Sequence, residues 1–311
     1  MIGWAPERRG PMLPLWKAGP VMPPLQRPLT LQERGLSVTV GVAMAVFDPF
    51  NAVVVASDNR ISFRDVDPAL DRGANKILPI EGGWHLVYAA NDIRLFEEVW
   101  RNIRALITTA TLQPTGDEIR TICERAYTSV LHSEFVKQML TPMGYASVEA
   151  FRKEGLKELG KDQFDPLFME LNRFDIGVEL MIVGFDKSGE PRIFTVHNPG
   201  RSYSEATLGY AVIGSGSSLA TASIRSRPAH RSLDEVIYRT LEAKFLSETA
   251  SHVGSSTTVV IIRPDIKKTR TYMSQSHINA IKNEWEKAQK RPMPKAASKI
   301  ITKNYVPFTS S

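Results

Sequence analysis

Residues 38–60, VTVGVAMAVFDPFNAVVVASDNR, constrain this chain more than any other stretch. Val38, Val40, Val42, Met44 and Val46 alternate with Thr39, Gly41, Ala43 and Ala45, the period of a strand with two unlike faces. The run from Ala52 to Ala56 is apolar at every position, which predicts a central strand covered on both sides. Between them, Asp48-Pro49-Phe50-Asn51 predicts a tight turn, proline presetting φ and asparagine tolerating a left-handed backbone. Pairing Asp48 with Asn51 sets Gly41 opposite Asp58 and Thr39 opposite Arg60. Thr39 and Asp58 are then diagonal neighbours on one face, a hydroxyl beside a carboxylate at a strand end where a nucleophile could sit.

The remaining pattern is strands, two helices, strands, two helices and a strand. Lys76 to Ile80 and Trp84 to Ala90 read as strands, preceded by a polar loop over Ser62 to Asn75. Asn91 or Asp92 caps a helix with the stripe Leu95, Phe96, Val99, Ile103 and Leu106. A second helix starts near Pro114-Thr115 and buries Ile119, Ile122, Cys123, Ala126, Tyr127 and Val130. Residues 140–172 read as an insertion of one or two short amphipathic helices. Strands resume at Gly177 to Phe185, Arg192 to His197, Tyr203 to Glu205 and Tyr210 to Ile213. Gly214-Ser215-Gly216-Ser217 opens one helix, Ser232-Leu233-Asp234-Glu235 is a capping-box pattern for the next, and Thr257 to Arg263 is a strand. Two sheets face to face with a helix pair outside each predict an α+β fold, a four-layer αββα sandwich.

The ends differ from this centre. Residues 1–35 are proline-rich and without apolar period, the mark of a leader or extended arm. Residues 36–264 form the expected domain, and 265–311 a basic C-terminal helix and tail. The net charge of +6 resides largely in the two ends. Nucleic acid is an unlikely partner, because the lysines of the tail are not interleaved with aromatic residues. One cysteine, Cys123, excludes an internal disulfide and a cysteine-built zinc site and fits a reducing, cytoplasmic location. No apolar run approaches a membrane span, and the N-terminus lacks the charged start and apolar block of a secretion signal. His85, His132, His197, His230, His252 and His277 are scattered, so no metal or other cofactor is expected.

Four pieces together resemble the proteasome family, with its N-terminal-nucleophile hydrolase fold: VVVASDNR, NKILPI, YAANDIRLFEEV, and GVELMIVGFDKSGEPRIFTVHNPGRSYSEATLGYAVIGSGSSLA. The resemblance spans Val38 to Arg263. It implies a threonine-type peptidase, acting on unfolded proteins or peptides within a homo-oligomeric ring. In such an enzyme the nucleophile is the first residue of the mature chain, and its free α-amine is the general base. Carried over, Asp58 matches the aspartate and Lys76 the lysine that lowers the nucleophile's pKa. Ser215 matches the serine that holds the amine, and the N–H of Ala90 the oxyanion donor. Thr39 is the nearest nucleophile, with Ser37 one pleat upstream as the reserve.

The same residues admit plainer roles: a buried ion pair, a helix cap, an ordinary strand threonine. Val38, not glycine, precedes Thr39, and the family's second aspartate has no match in ETASHVGSS, which offers Glu248, Ser255 or Ser256. The competing expectation is therefore a catalytically silent proteasome-like scaffold that keeps its leader. The chain carries no GxxxxGK[ST] loop, so an unfolding ATPase would be a separate partner.

Overall fold

The chain begins with β1 (Val40–Val46), β2 (Ala52–Asp58), a small hairpin of β3 (Ile61–Phe63) and β4 (Val66–Leu70), then β5 (Ile77–Pro79) and β6 (His85–Ala90). Helices α1 (Ile93–Thr108), α2 (Gly116–Phe135), α3 (Val148–Leu159) and α4 (Lys161–Arg173) follow. Next come β7 (Val178–Phe185), β8 (Pro191–His197), β9 (Arg201–Ser204) and β10 (Tyr210–Gly214), then α5 (Ser217–Arg225) and α6 (Leu233–Ser247). β11 (Thr257–Ile262), β12 (Arg270–Tyr272) and α7 (Gln275–Gln289) complete the order. The structure, a computed structural model, describes residues 39–47, 51–63, 66–70, 75–108, 114–226, 232–250, 253–264 and 270–289. The expected leader, the reserve nucleophile Ser37, most of the expected turn at 48–51 and the tail beyond Gln289 lie outside the described residues.

Two five-stranded antiparallel sheets carry the fold, in the orders β10-β1-β2-β11-β12 and β5-β6-β7-β8-β9. Ala43, Val53, Val55, Val87, Met181, Ile213 and Val260 fill the space between them. Val40, Val42, Met44, Val46 and Val54 point the other way, onto α5, α6 and α7. The outer face of the second sheet, Leu86, Tyr88, Leu180 and Phe194, packs on α1 and α2. These are the predicted four layers, and β2 is buried along its whole length as its all-apolar sequence requires. At Gly41 a Cβ would stand 3.0 Å from Val87 of the facing sheet and 3.0 Å from Ile213 of the neighbouring strand.

The helix ends follow local chemistry. Asp92 accepts the N–H of Arg94 and caps α1. On α2 a reciprocal capping box forms between Thr115 and Glu118. Ser232 begins α6 without a side-chain cap bond among the described residues. The insertion is two helices, α3 and α4, on a small core of their own with Phe135, Leu140, Phe151 and Leu167.

Two expectations are corrected. Gly41 pairs with Ser57, not Asp58, so the hairpin register is one residue off the predicted one. Val46 and Ala52 are the last pair of the described ladder. A strand apolar on both faces does not set its own register, because either pleat can be buried. The expected polar loop contains the β3–β4 hairpin, and the edge strand β12 went unpredicted because its three residues are exposed.

His85, at the start of β6, is buried, and burial pushes its pKa down to about 4. Nδ1 lies 3.1 Å from the carbonyl of Gly83, and Nε2 has no hydrogen-bond partner among the described residues. The unfolded chain takes up this proton near pH 6.5 and the folded chain does not. Stability is therefore fully present above pH 6.5 and falls as the pH drops toward 4, by up to about 3 kcal/mol. Urea midpoints should fall less steeply between pH 7 and 4.5 in His85→Leu than in the unsubstituted chain; equal slopes would disprove the assignment.

Candidate active site

The site gathers where β1 begins and β2 ends. Thr39, the residue just before β1, is buried, as are Asp58 at the end of β2 and Lys76 just before β5. The Lys76 ammonium donates to Thr39 Oγ1 at 2.6 Å and to Asp58 Oδ1 at 3.1 Å. Lysine thus joins hydroxyl to carboxylate. Asp58 is held by backbone: Oδ1 also accepts Val40 N–H at 3.0 Å, and Oδ2 accepts Arg60 N–H at 3.3 Å and Gly254 N–H at 3.4 Å.

Electrostatics at Lys76 oppose one another. Burial lowers its pKa, the charge and hydrogen bond of Asp58 pull it back up, and Arg60 adds a smaller downward push. The net direction is down, which brings the amine nearer to exchanging a proton at neutral pH. The pair is nearly fully buried, at 2% and 0% exposure, so water screens it little.

The turn after β10 supplies the opposite wall. Ser215 Oγ donates to the Thr39 carbonyl at 3.3 Å and Gly216 N–H at 3.5 Å. Gly214 has φ +89, and a Cβ there would stand 2.2 Å from the Thr39 carbonyl oxygen, so only glycine lets β10 approach this closely. Its N–H donates to Glu179 Oε2 at 2.9 Å. Ser215 lies beside Thr39 and bonds its carbonyl oxygen. Ala90 ends β6 opposite Val178, on the face toward α1, and its neighbour Ala89 is the residue that faces Gly214.

Glu179 and Gly254 were not singled out beforehand. Glu179 is the one acidic residue in the apolar strand run GVELMIVGF, a signal the sequence did carry. Gly254 acts through its backbone, which sequence does not display. Glu248, offered for the family's second aspartate, pairs with Lys244 and Lys282. Among the described residues, no group of three or more His, Cys, Asp or Glu could hold a metal ion, and no helix is long and apolar enough to cross a membrane.

The proteasome-subunit family profile matches residues 167–262. Over those residues the chain is similar to proteasome subunits, and the two-sheet architecture agrees with that similarity. Similar solved structures include an Anbu protein of Hyphomicrobium sp. strain MC1, a Gly-1 mutant, with TM-score 0.56 and 16% identity over 82% of this chain and 98% of that one. Another is Anbu, an ancestral beta-subunit, from Yersinia bercovieri, with TM-score 0.56 and 14% identity over 82% and 99%. At such identities the likeness is one of fold. No curated protein matches the sequence.

Proposed function

We propose that this chain is a proteasome-like, threonine-type peptidase whose nucleophile is Thr39, released as the first residue by cleavage after Val38. The observation that carries the reading is the 2.6 Å contact of Lys76 with the Thr39 hydroxyl, backed by buried Asp58. In the uncut sequence the Thr39 nitrogen is an amide and no base. Cleavage turns it into an amine on the same residue as the hydroxyl it must deprotonate. Oγ1 then attacks the substrate carbonyl, and its proton passes through the amine to the leaving nitrogen. Water hydrolyses the ester that remains. Lys76 beside Oγ1 stabilises the developing alkoxide, and Asp58 orients Lys76. Ala90 N–H is the proposed oxyanion donor, and Ser215 the residue that fixes the Thr39 end of β1.

In this reading residues 1–35 belong to a leader, and the substrate is unfolded protein or peptide. Assembly into a homo-oligomeric ring is supported by the relative described as a beta-subunit. A separate ATPase would feed such a ring, and the location is cytoplasmic. The test is the intact mass and N-terminal sequence of the purified protein, with fluorogenic peptide hydrolysis beside it. A chain starting at Thr39 that hydrolyses peptides is expected. A start at Ser37 would move the nucleophile upstream, and an uncut, inactive chain would leave a silent scaffold.

A further inference from the structure

Behind Asp58 lies a second buried lysine that the chemistry above does not use. Lys244, on α6, has a side chain with 0% exposure. Its ammonium donates to the Gly254 carbonyl at 2.8 Å and pairs with Glu248, one turn further along the helix. The N–H of that same Gly254 donates to Asp58 Oδ2. Glu248 also binds Lys282 of α7, and Lys282 lies 5.7 Å from the Phe245 ring centre. A continuous line thus runs from α7 through Glu248, Lys244 and the backbone of one residue, Gly254, to the carboxylate that faces Lys76.

Such an arrangement is costly to keep for stability alone. Burial lowers the Lys244 pKa, and Glu248 only partly reverses this. Apolar residues of similar volume often replace buried ion pairs without loss of stability. The placement instead matches a geometric task, since Gly254 is held at both its carbonyl and its N–H, between two charged groups.

We propose that Lys244 is a positioning residue: it fixes Gly254, Gly254 fixes Asp58, and Asp58 keeps Lys76 aimed at the Thr39 hydroxyl. Glu248 and Lys282 hold Lys244 in place. Helix α7, which lies beyond the family-matched residues 167–262, thereby becomes part of the support of the site. The inference rests on the peptidase reading for its kinetic consequence, though not for its geometry.

The test uses full-length Lys244→Met, with the unsubstituted chain assayed in parallel. In a chain that melts within a few degrees of the original, kcat should fall about ten- to hundred-fold, the effect of losing a hydrogen bond to a charged group. KM should stay unchanged. The lower limb of the pH–rate profile should move to higher pH, because one cation leaves a neighbourhood that holds Asp58, Arg60, Lys76, Glu248 and Lys282. Unchanged kcat and pH profile would overturn the proposal. Glu248→Gln, which keeps the shape and removes the charge holding Lys244, should also lower kcat, with the lower limb moving instead to lower pH because an anion is lost, and serves if Lys244→Met does not fold. If the unsubstituted chain hydrolyses nothing, the peptidase reading has failed, and a crystal structure of the variant decides the geometry. Loss of the Gly254–Asp58 contact supports the positioning role, and an intact contact refutes it.

Discussion

Thr39→Ala should yield a folded chain that hydrolyses peptides only at the background rate. Removing the attacking oxygen costs roughly 10⁴- to 10⁶-fold in kcat where a nucleophile works with a base as a unit. Folding should suffer far less. The substitution removes one buried hydroxyl and its bond from Lys76, while Lys76 keeps Asp58. A loss of about 1–2 kcal/mol is expected, readable as a modest shift in the urea midpoint. Thr39→Ser, which retains the oxygen, should retain measurable hydrolysis. Full activity in Thr39→Ala would remove Thr39 from the mechanism. A scaffold would show no hydrolysis in either chain.

Asp58→Ala should be the more damaging change, because it strikes both chemistry and fold. It removes the acceptor of three backbone N–H groups, those of Val40, Arg60 and Gly254, together with the carboxylate partner of Lys76. Breaking one side of a buried pair costs about 3–5 kcal/mol, against a total stability of about 5–15 kcal/mol for a typical domain. Hydrolysis should fall with it. Asp58→Asn, whose amide oxygen still accepts hydrogen bonds, should cost less. Combining Asp58→Asn with Lys76→Met should recover part of the loss, since no unpaired charge then remains. A strictly additive double substitution, measured by urea unfolding, would show that the pair is not coupled.

What could be read beforehand follows a physical divide. The four layers were legible because burial leaves a period in sequence: two unlike faces in β1, two apolar faces in β2, stripes in α1 and α2. Asp58 was placed near Thr39 from the hairpin pattern, whereas Lys76 and Ser215 came from a resemblance, not from any spacing along the chain. The hairpin register was not legible, because in β2 neither pleat is more apolar than the other. Backbone donors such as Gly254 N–H leave no trace in residue type. Lys244 did leave one. With Val236, Thr240 and Ser247 it falls on the buried stripe of α6, where a cation needs a partner.

The clamp around Thr39 has a further consequence. Its carbonyl is gripped by Ser215 and Gly216, and the next amide, that of Val40, is gripped by Asp58. Chain ends ordinarily fray, and a nucleophile on a fraying end would wander away from Lys76. These three anchoring bonds lie on the C-terminal side of the bond that the proposed processing would cut. Cutting it would release a terminus whose conformational entropy was already surrendered during folding.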